Sequence, residues 1–319
     1  MDKISIIIPC FNEEEALPIY YAEMKKVMDS MKKQTSFELL FVDDGSSDRT
    51  YEIMKDLHRK DGRCQYLSFS RNFGKESAIY AGLHYASGSY ISIIDADLQQ
   101  DPEIVRNMVN ILEEKPDIDV VAAYQAQRHE GKLMSWCKDR FYKFINRLSE
   151  VDLRENASDF RTFRASVQKA LLDMPEYFRF SKGLFSWVGF ETEYIPYEAA
   201  ERFAGTTKWS FTKLLKYAME GIISFSTLPL QLATFFGAIV SAIAIIYGIV
   251  IIAQTLITGI DVPGYATTIV VVLFLGGVQL LVMGILGEYL AKTYIQGKHR
   301  PIYIEKKLLD YKKEKHEEN

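Results

Sequence analysis

The fold is decided by residues 90–102, which read Tyr90-Ile91-Ser92-Ile93-Ile94-Asp95-Ala96-Asp97-Leu98-Gln99-Gln100-Asp101-Pro102. The apolar run at the start of this stretch predicts a strand buried in a sheet. It ends in Asp95 and Asp97, followed by an Asp-Pro step. Ligands of open α/β sheets bind at the carboxyl ends of strands, where acids can hold a hard divalent cation. The same pattern also fits an acidic turn in which Asp101 caps a helix from Pro102.

Three strand-and-helix pairs precede this stretch. Strands are predicted over residues 4–9, where Pro9 would stop the first one, and over residues 37–42 and 66–70. A fifth strand is predicted over residues 118–124. Strands that alternate with helices indicate an α/β fold with a mostly parallel sheet and helices on both faces. Each strand up to Asp95 ends in polar or charged residues, so four loops should meet at one edge of the sheet.

The middle of the chain gives weaker patterns. Residues 128–147 form a basic stretch with aromatics between the cations, which alone fits a solvated helix face. Residues 156–161 predict a polar turn. Residues 179–187 mix cations with aromatics, as a membrane-surface segment does, and residues 210–225 predict an amphipathic helix.

Two long apolar spans follow, at residues 228–256 and 266–290. Each exceeds the roughly 20 residues that cross a bilayer. A buried helix hairpin in a soluble protein is the alternative. Because Lys and Arg flank the pair and the connection lacks them, the positive-inside rule places both ends in the cytosol. The charged tail after Lys306 predicts a solvated helix or disorder.

Composition narrows the class of protein further. The chain has 319 residues and a net charge of -4, which gives no reason to expect a nucleic acid partner. Its three cysteines, Cys10, Cys64 and Cys137, lie far apart and indicate a reducing compartment. The N-terminus begins almost directly with a strand pattern, so a signal peptide is not expected.

These features together suggest a reaction. An acidic metal site favours a nucleotide diphosphate, and a membrane hairpin favours a lipid as the second substrate. Transfer of a group from an activated nucleotide to a lipid head group joins the two. A metal ion would stabilise the leaving diphosphate, and cations would hold an anionic lipid phosphate.

The chain resembles a known family in several stretches. It is similar to the family-2 glycosyltransferases of the GT-A fold, specifically the polyprenyl-phosphate glycosyltransferases. These include bacterial undecaprenyl-phosphate glucosyltransferases and the related dolichyl-phosphate mannose synthases. The Asp-Ala-Asp-Leu-Gln form, the late Gly-Thr-Thr-Lys-Trp loop and the hairpin point to this lipid-phosphate branch. The matching stretches are residues 8–13, 42–48, 71–75, 95–99, 158–161 and 202–209.

The resemblance implies an organisation for the whole chain. Residues 1–208 would form a cytosolic GT-A catalytic domain, and residues 209–227 an interfacial amphipathic helix. Residues 228–291 would hold two transmembrane helices, and residues 292–319 a cytosolic charged tail. The expected location is the bacterial cytoplasmic membrane, with the catalytic domain and both termini in the cytosol. A homo-oligomer is expected, and a tetramer is one option.

The resemblance also implies roles for individual residues. Arg128 and Arg140 would hold the lipid phosphate. Asp159 is the candidate catalytic carboxylate, with Asp97, Arg202 and Lys208 completing the catalytic set. Either Mg²⁺ or Mn²⁺ would be bound by Asp95, Asp97 and Gln99. The nucleotide sugar would be bound by Pro9, Phe11, Glu13, Asp44, Arg71, Lys75, Asp95 and Ala96.

The reaction implied is inverting transfer of a hexose to the phosphate of undecaprenyl phosphate, for cell-envelope glycan modification. Glucose from UDP-glucose is the expected donor group. An N-acetylhexosamine, galactose, aminoarabinose or mannose donor remains open. A processive polysaccharide synthase would carry a Gln-x-x-Arg-Trp motif and more spans, and the sequence has neither. An inactive membrane scaffold is disfavoured because Asp95, Asp97, Gln99 and Asp159 are all present.

Overall fold

The computed structural model describes residues 2–31, 35–126, 157–200, 227–258 and 264–308. The chain forms two units, one of residues 1–215 with 300–319 and one of residues 216–299. The first unit contains one sheet and its covering helices. Its described strands are Asp2–Cys10 (β1), Thr35–Asp43 (β2), Cys64–Phe69 (β3), Tyr90–Ile93 (β4), Val120–Gln125 (β5), Ala157–Arg164 (β6), Thr192–Tyr197 (β7) and Glu305–Leu308 (β8). Its described helices are Ala16–Met31 (α1), Thr50–Lys60 (α2), Lys75–Tyr85 (α3), Glu103–Glu114 (α4), Ala165–Leu172 (α5) and Ser181–Trp187 (α6).

The strands lie in the order β7-β5-β6-β4-β1-β2-β3-β8. The four strands β1 to β4 are parallel where they pair, and β7 pairs parallel to β5. Only β6 and β8 of these strands run against their neighbours. The prediction of a mostly parallel α/β sheet is therefore confirmed.

Strand β1 lies at the centre of the core. Ile6, Ile7 and Ile8 are each completely buried, as expected for a strand that is covered on both faces. Ile6 and Ile8 belong to the same buried cluster as side chains of α1 and α4. On the opposite face, a Cβ added at Gly82 would lie 2.2 Å from Cγ2 of Ile7. Glycine at this position therefore lets α3 pack directly on β1.

The first strand continues through Pro9 to Cys10, whereas the sequence predicted a stop at Pro9. The pairing of β1 with β4 ends at Ile7 and Ile93, so Pro9 lies beyond that ladder. A proline is tolerated there because no neighbouring strand on that side requires its missing N–H.

The prediction of a polar turn at residues 156–161 was wrong. Ala157–Arg164 forms β6, which lies between β4 and β5 and pairs antiparallel with both. Both faces of this strand are covered, and its buried polar side chains find partners there. Phe160 and Thr162 are completely buried on the face of α4, where Thr162 Oγ1 lies 3.2 Å from Sδ of Met108.

Two later predictions also need correction. Residues 305–308 form β8 on the free edge of β3, so the solvated helix or disorder predicted after Lys306 is wrong for residues 307–308, while residues 309–319 lie outside the described residues. Within residues 179–187, the structure buries Leu184 and Phe185 and exposes Trp187. The segment is therefore a short helix with an apolar inner face, and only part of it is available to a membrane surface.

The described part of the second unit consists of two helices, Leu228–Thr258 (α7) and Tyr265–Gly297 (α8). Each is long and apolar enough to cross a membrane over Leu228–Ile251 and Val270–Gly297, with mean hydropathies of 2.4 and 2.5. No residue of these windows is buried inside the protein. Large apolar side chains that face outward along both of these windows indicate membrane association rather than a soluble hairpin core.

Candidate active site

The candidate site lies where four parallel strands end at one edge of the sheet. After β1, the chain adds β2 and β3 on one side and then returns to place β4 on the other side of β1. This reversal makes a crevice between the carboxyl ends of β1 and β4, which is where open α/β sheets bind their ligands. The loops after β1, β2, β3 and β4 all belong to this edge, as the sequence predicted.

Hydrogen bonds hold the loop after β1 against the loop after β2 and the start of α2. The N–H of Asn12 donates to Oγ of Ser46 at 2.9 Å, and Asn12 Oδ1 accepts from the N–H of Ser47 at 2.9 Å. The N–H of Glu13 donates to Oγ1 of Thr50 at 2.7 Å. Asn12 has a φ of 56°, in the left-handed region that asparagine tolerates better than most residues.

Pro9 and Glu13 are both predicted to line the nucleotide pocket, and they lie on either side of Phe11 in the chain. Pro9 belongs to β1, Glu13 follows the end of that strand, and the ring of Phe11 is exposed. Phe11 is 46% exposed, which leaves its face available for stacking on a planar ligand. Their role in binding the base and ribose stays a prediction.

Asp44 joins the second loop to the third. Its two carboxylate oxygens accept from the N–H groups of Phe73 at 2.6 Å and Gly74 at 2.9 Å. Burial raises the pKa of Asp44, and the two N–H donors partly offset this effect. Gly45 permits the contact, because it has a φ of 70° and a Cβ there would lie 2.5 Å from the carbonyl carbon of Arg71. Asp44 thus organises the site, and its predicted bond to the base stays a prediction.

The charged centre of the site is Lys75, the first residue of α3. Its Nζ lies 2.6 Å from Oδ1 of Asp95 and 3.1 Å from Oδ2 of Asp159. The structure therefore brings together three predicted site residues from the ends of different elements. Burial opposes the charged form of Lys75, but the two carboxylates outweigh it and raise the pKa of the lysine.

Asp159 is ionised in this arrangement. Burial alone would raise the pKa of Asp159, but the charges of Lys75, Lys182 and Arg161 hold it well below its usual range. A carboxylate with such a low pKa is a weak base near neutral pH. Its ion pair with Lys75 fits a positioning and electrostatic role, and its catalytic role stays a prediction.

Gln100 is a site residue that the sequence analysis did not identify. It is buried, and its Oε1 accepts from the N–H of Asp95 at 3.0 Å. Its Nε2 donates to Oδ2 of Asp95 at 3.3 Å and to Oγ of Ser158 at 3.2 Å. It therefore fixes the orientation of Asp95 and links β4 to β6. In the sequence, the two glutamines that follow Asp95 and Asp97 could have indicated this role.

The loop of Asp97 has a constrained backbone. Oδ1 of Asp97 accepts from the N–H of Gln99 at 3.1 Å, and Leu98 between them has a φ of 59°. The carbonyl of Gln99 accepts from the N–H of Ala200 at 3.1 Å. Left-handed backbone at a leucine is strained, and such strain is concentrated at functional sites.

This loop fits a hard cation. Within the described residues, no group of three or more His, Cys, Asp or Glu side chains is placed to share an ion. Mg²⁺ is commonly bound by one or two carboxylates together with substrate phosphates, so a small protein donor set is the expected one. Asp95, Asp97 and the amide of Gln99 carry oxygen atoms of the kind such an ion takes, and their role as its ligands stays a prediction.

Glu76 is a second residue that the sequence analysis did not identify. Its carboxylate accepts from the N–H of Ser181 at 3.0 Å and from the Ser181 hydroxyl. Burial and the nearby charge of Asp159 raise the pKa of Glu76. It fixes the start of α6, whose Lys182 acts electrostatically on Asp159.

Four remaining predicted residues, Arg128, Arg140, Arg202 and Lys208, lie outside the described residues. Two others are placed at the edge of the site. Arg71 donates to the carbonyl of Asn72 at 3.0 Å and lies 4.1 Å from the ring centroid of Phe73. Ala96 is buried, and its contact with the nucleotide sugar stays a prediction.

Comparison with known proteins agrees with this geometry. The model of glycosyl transferase family 2 matches residues 5–172, and the model of the GtrB C-terminal hairpin matches residues 228–293. The prophage bactoprenol glucosyl transferase homolog of Escherichia coli K12 is 42% identical over 306 residues, covering 96% of this chain and 99% of the relative. The bactoprenol glucosyl transferase of Shigella phage SfV is 41% identical over 302 residues, covering 95% and 97%. The putative glycosyltransferase CsbB of Bacillus subtilis is 42% identical over 301 residues, covering 94% and 90%.

A solved structure is also similar. Glucosyl-3-phosphoglycerate synthase from Mycobacterium tuberculosis, in complex with Mn²⁺, UDP and phosphoglyceric acid, matches with a TM-score of 0.48 and 15% identity. The match covers 70% of this chain and 76% of that chain. The chain is therefore a glycosyltransferase that belongs to glycosyl transferase family 2 and carries a GtrB-type C-terminal hairpin.

Proposed function

We propose that this enzyme transfers glucose from UDP-glucose to the phosphate of a membrane polyprenyl phosphate. The observation that supports this best is the placement of Lys75 between Asp95 and Asp159, at the switch point of the sheet. The ammonium group of Lys75, held there beside the Asp95–Asp97 loop, suits the binding of a diphosphate. Relatives at 41–42% identity are named bactoprenol glucosyl transferases, and their names supply the sugar and the lipid.

The reaction is a single displacement with inversion. A phosphate oxygen of the lipid forms a bond to the anomeric carbon of the sugar. The bond from that carbon to the diphosphate breaks, and the nucleoside diphosphate leaves with the electron pair. A phosphate monoester is largely dianionic near neutral pH because its second pKa is about 6. The attacking oxygen therefore carries no proton to remove.

The residues of the site have different roles in this reaction. Lys75 contacts the donor diphosphate, and Asp95 and Gln100 fix the position of its ammonium group. Asp159 fixes the same ammonium from the side of β6. Mg²⁺ or Mn²⁺, held by Asp95, Asp97 and Gln99, would neutralise the charge that develops on the leaving diphosphate. Arg128 and Arg140 hold the acceptor phosphate, as bidentate arginines do.

A transfer assay tests the proposed function. Purified protein in detergent is given UDP-glucose and a short polyprenyl phosphate, with and without divalent metal. Formation of a polyprenyl monophosphate glucose only in the presence of metal is the expected result. Extension of a polysaccharide, or absence of transfer with every nucleotide sugar, would contradict the proposal.

The pH dependence distinguishes the acceptor phosphate from Asp159 as the titrating group. With subsaturating lipid, the rate should rise with pH through a midpoint of about 6 and then level, because the dianion is the nucleophile. Since Asp159 is ionised well below this range, Asp159→Asn should lower the plateau and leave the midpoint unchanged. Loss of the midpoint in that variant would show instead that Asp159 is the base.

The topology follows from the cations that flank the hairpin. We place the catalytic domain and both termini in the bacterial cytosol. A reporter fused after Asn319 should be active only if it functions in the cytosol, and a tag inserted near Gly259 should react with an impermeant reagent from outside. A tag that reacts only after the membrane is opened would contradict this orientation.

A further inference from the structure

The last described segment, residues 301–308, returns to the catalytic unit and is called the strap below. We propose that the strap positions the β3–α3 loop (residues 70–74), which presents Lys75 to the donor diphosphate. Tyr303 is the residue through which it does so. This inference rests on the proposed function, because it assigns the strap a part in binding the same donor.

The backbone of the strap extends the sheet. Strand β8 pairs antiparallel with β3, with Leu308 opposite Leu67 and Glu305 opposite Phe69. The carbonyl of Ile304 accepts from the N–H of Ser70 at 2.9 Å. The last of these contacts holds the first residue of the β3–α3 loop itself, so the strap restrains the loop at the point where it leaves the sheet.

The side chains of the strap pack on the end of β3 and on α3, the two elements that flank the loop. The ring of Tyr303 stacks on Phe69 with centroids 4.9 Å apart and 20° between the planes. Phe69 in turn meets Phe73 edge to face at 5.8 Å. Tyr303 also contacts Tyr80 of α3 at 6.5 Å, and the hydroxyl of Tyr85 donates to the carboxylate of Glu305. The strap therefore contacts β3, which precedes the loop, and α3, which follows it.

The β3–α3 loop connects the contacts of the strap to the candidate active site. The N–H of Phe73 is one of the two that Asp44 binds, and the carbonyl of Phe73 accepts from Oγ of Ser77 at 3.0 Å. Lys75 follows Gly74 directly and begins α3. Displacement of the Phe73 ring would therefore disturb the Asp44 contact and the start of the helix that carries Lys75. Tyr303 acts through Phe69 and Phe73, as a positioning residue.

The test compares Tyr303→Ala with Tyr303→Phe in the full-length protein purified in detergent. Aromatic pairs contribute on the order of 0.5–1.5 kcal/mol, so Tyr303→Ala should raise the KM for UDP-glucose about 3- to 10-fold. Its kcat should change less than about 2-fold, since no group at the reacting atoms is lost. Tyr303→Phe keeps the ring and should behave as wild type. Deletion of residues 309–319 leaves the strap whole and is the matched control.

Hydrogen exchange supplies a readout that does not depend on activity. In Tyr303→Ala the amides of residues 70–75 should exchange about 3- to 10-fold faster, while those of β1 and β4 stay unchanged. If the alanine variant does not fold, Tyr303→Leu, which keeps apolar volume without a ring, should show the same changes. Unchanged KM and exchange, or faster exchange across the whole sheet, would overturn the inference. If wild type transfers no sugar, the proposed function fails, but the exchange comparison still decides the role of the strap.

Discussion

Replacing Asp97 with asparagine is expected to lower turnover about 10²- to 10³-fold, the scale of losing one preorganised electrostatic group. The change removes a negative charge from the loop that would hold the metal ion, and neutral amide oxygen binds a hard cation more weakly than carboxylate does. The variant should fold normally, because Oδ1 of asparagine can still accept from the N–H of Gln99. Turnover is measured with saturating Mg²⁺ or Mn²⁺, and the fold by thermal unfolding.

Asp101→Asn is the matched control for this experiment. It removes the same charge from the same loop, four residues further on. Asp101 is exposed and accepts from the N–H of Glu103 at 2.9 Å, a contact that asparagine can also make at a helix start. Its turnover should stay close to wild type. Equal losses in the two variants would mean that the loop responds to net charge, and normal turnover in Asp97→Asn would refute the metal assignment.

Replacing Lys75 with methionine should have the next largest effect. A hydrogen bond to a charged group contributes about 1.5–3 kcal/mol, so loss of the diphosphate contact should lower kcat/KM for the donor roughly 10- to 150-fold. The variant also leaves Asp95 and Asp159 without the ammonium that lies between them. Removing this nearby cation should raise the pKa of Asp159.

Calorimetry with UDP and metal measures the loss of donor binding in Lys75→Met, and steady-state kinetics measures the whole loss of kcat/KM. Lys75→Arg keeps the charge and should recover part of the affinity. Lys60→Met removes an exposed lysine at the end of α2 and should leave both measurements unchanged. A Lys75→Met enzyme that binds UDP and turns over normally would show that the lysine serves only the fold.

The sequence predicted those strands that are marked by an apolar run followed by polar residues. The apolar runs that lead to Cys10, Asp43 and Asp95 each form a strand, and the polar residues after them meet at one edge. Lys75 and Asp95 were assigned to one site from the family resemblance, and the structure brings them to 2.6 Å. Parallel strands joined by helices make this convergence predictable, because their carboxyl ends share an edge.

The parts that were missed depend on contacts between distant residues. Residues 157–164 are polar enough to resemble a turn, and only their pairing with β4 and β5 makes them a strand. Gln100 and Glu76 acquire their roles from Ser158 and Ser181, which lie far away in the chain. The short β8 has no apolar alternation of its own and is defined by the open edge of β3.

The position of β8 in the chain has a consequence for how the protein is made. The ribosome releases β3 early, but the strand that covers its edge comes only after both apolar helices have been synthesised. At about 5–20 residues per second, the stretch from Phe69 to Glu305 takes roughly 10 to 50 seconds to synthesise. During that interval β3 is an uncovered strand edge, which can pair with other chains. Synthesis of the hairpin thus precedes completion of the sheet, and a chain that stalls before residue 305 leaves the edge of β3 open to aggregation.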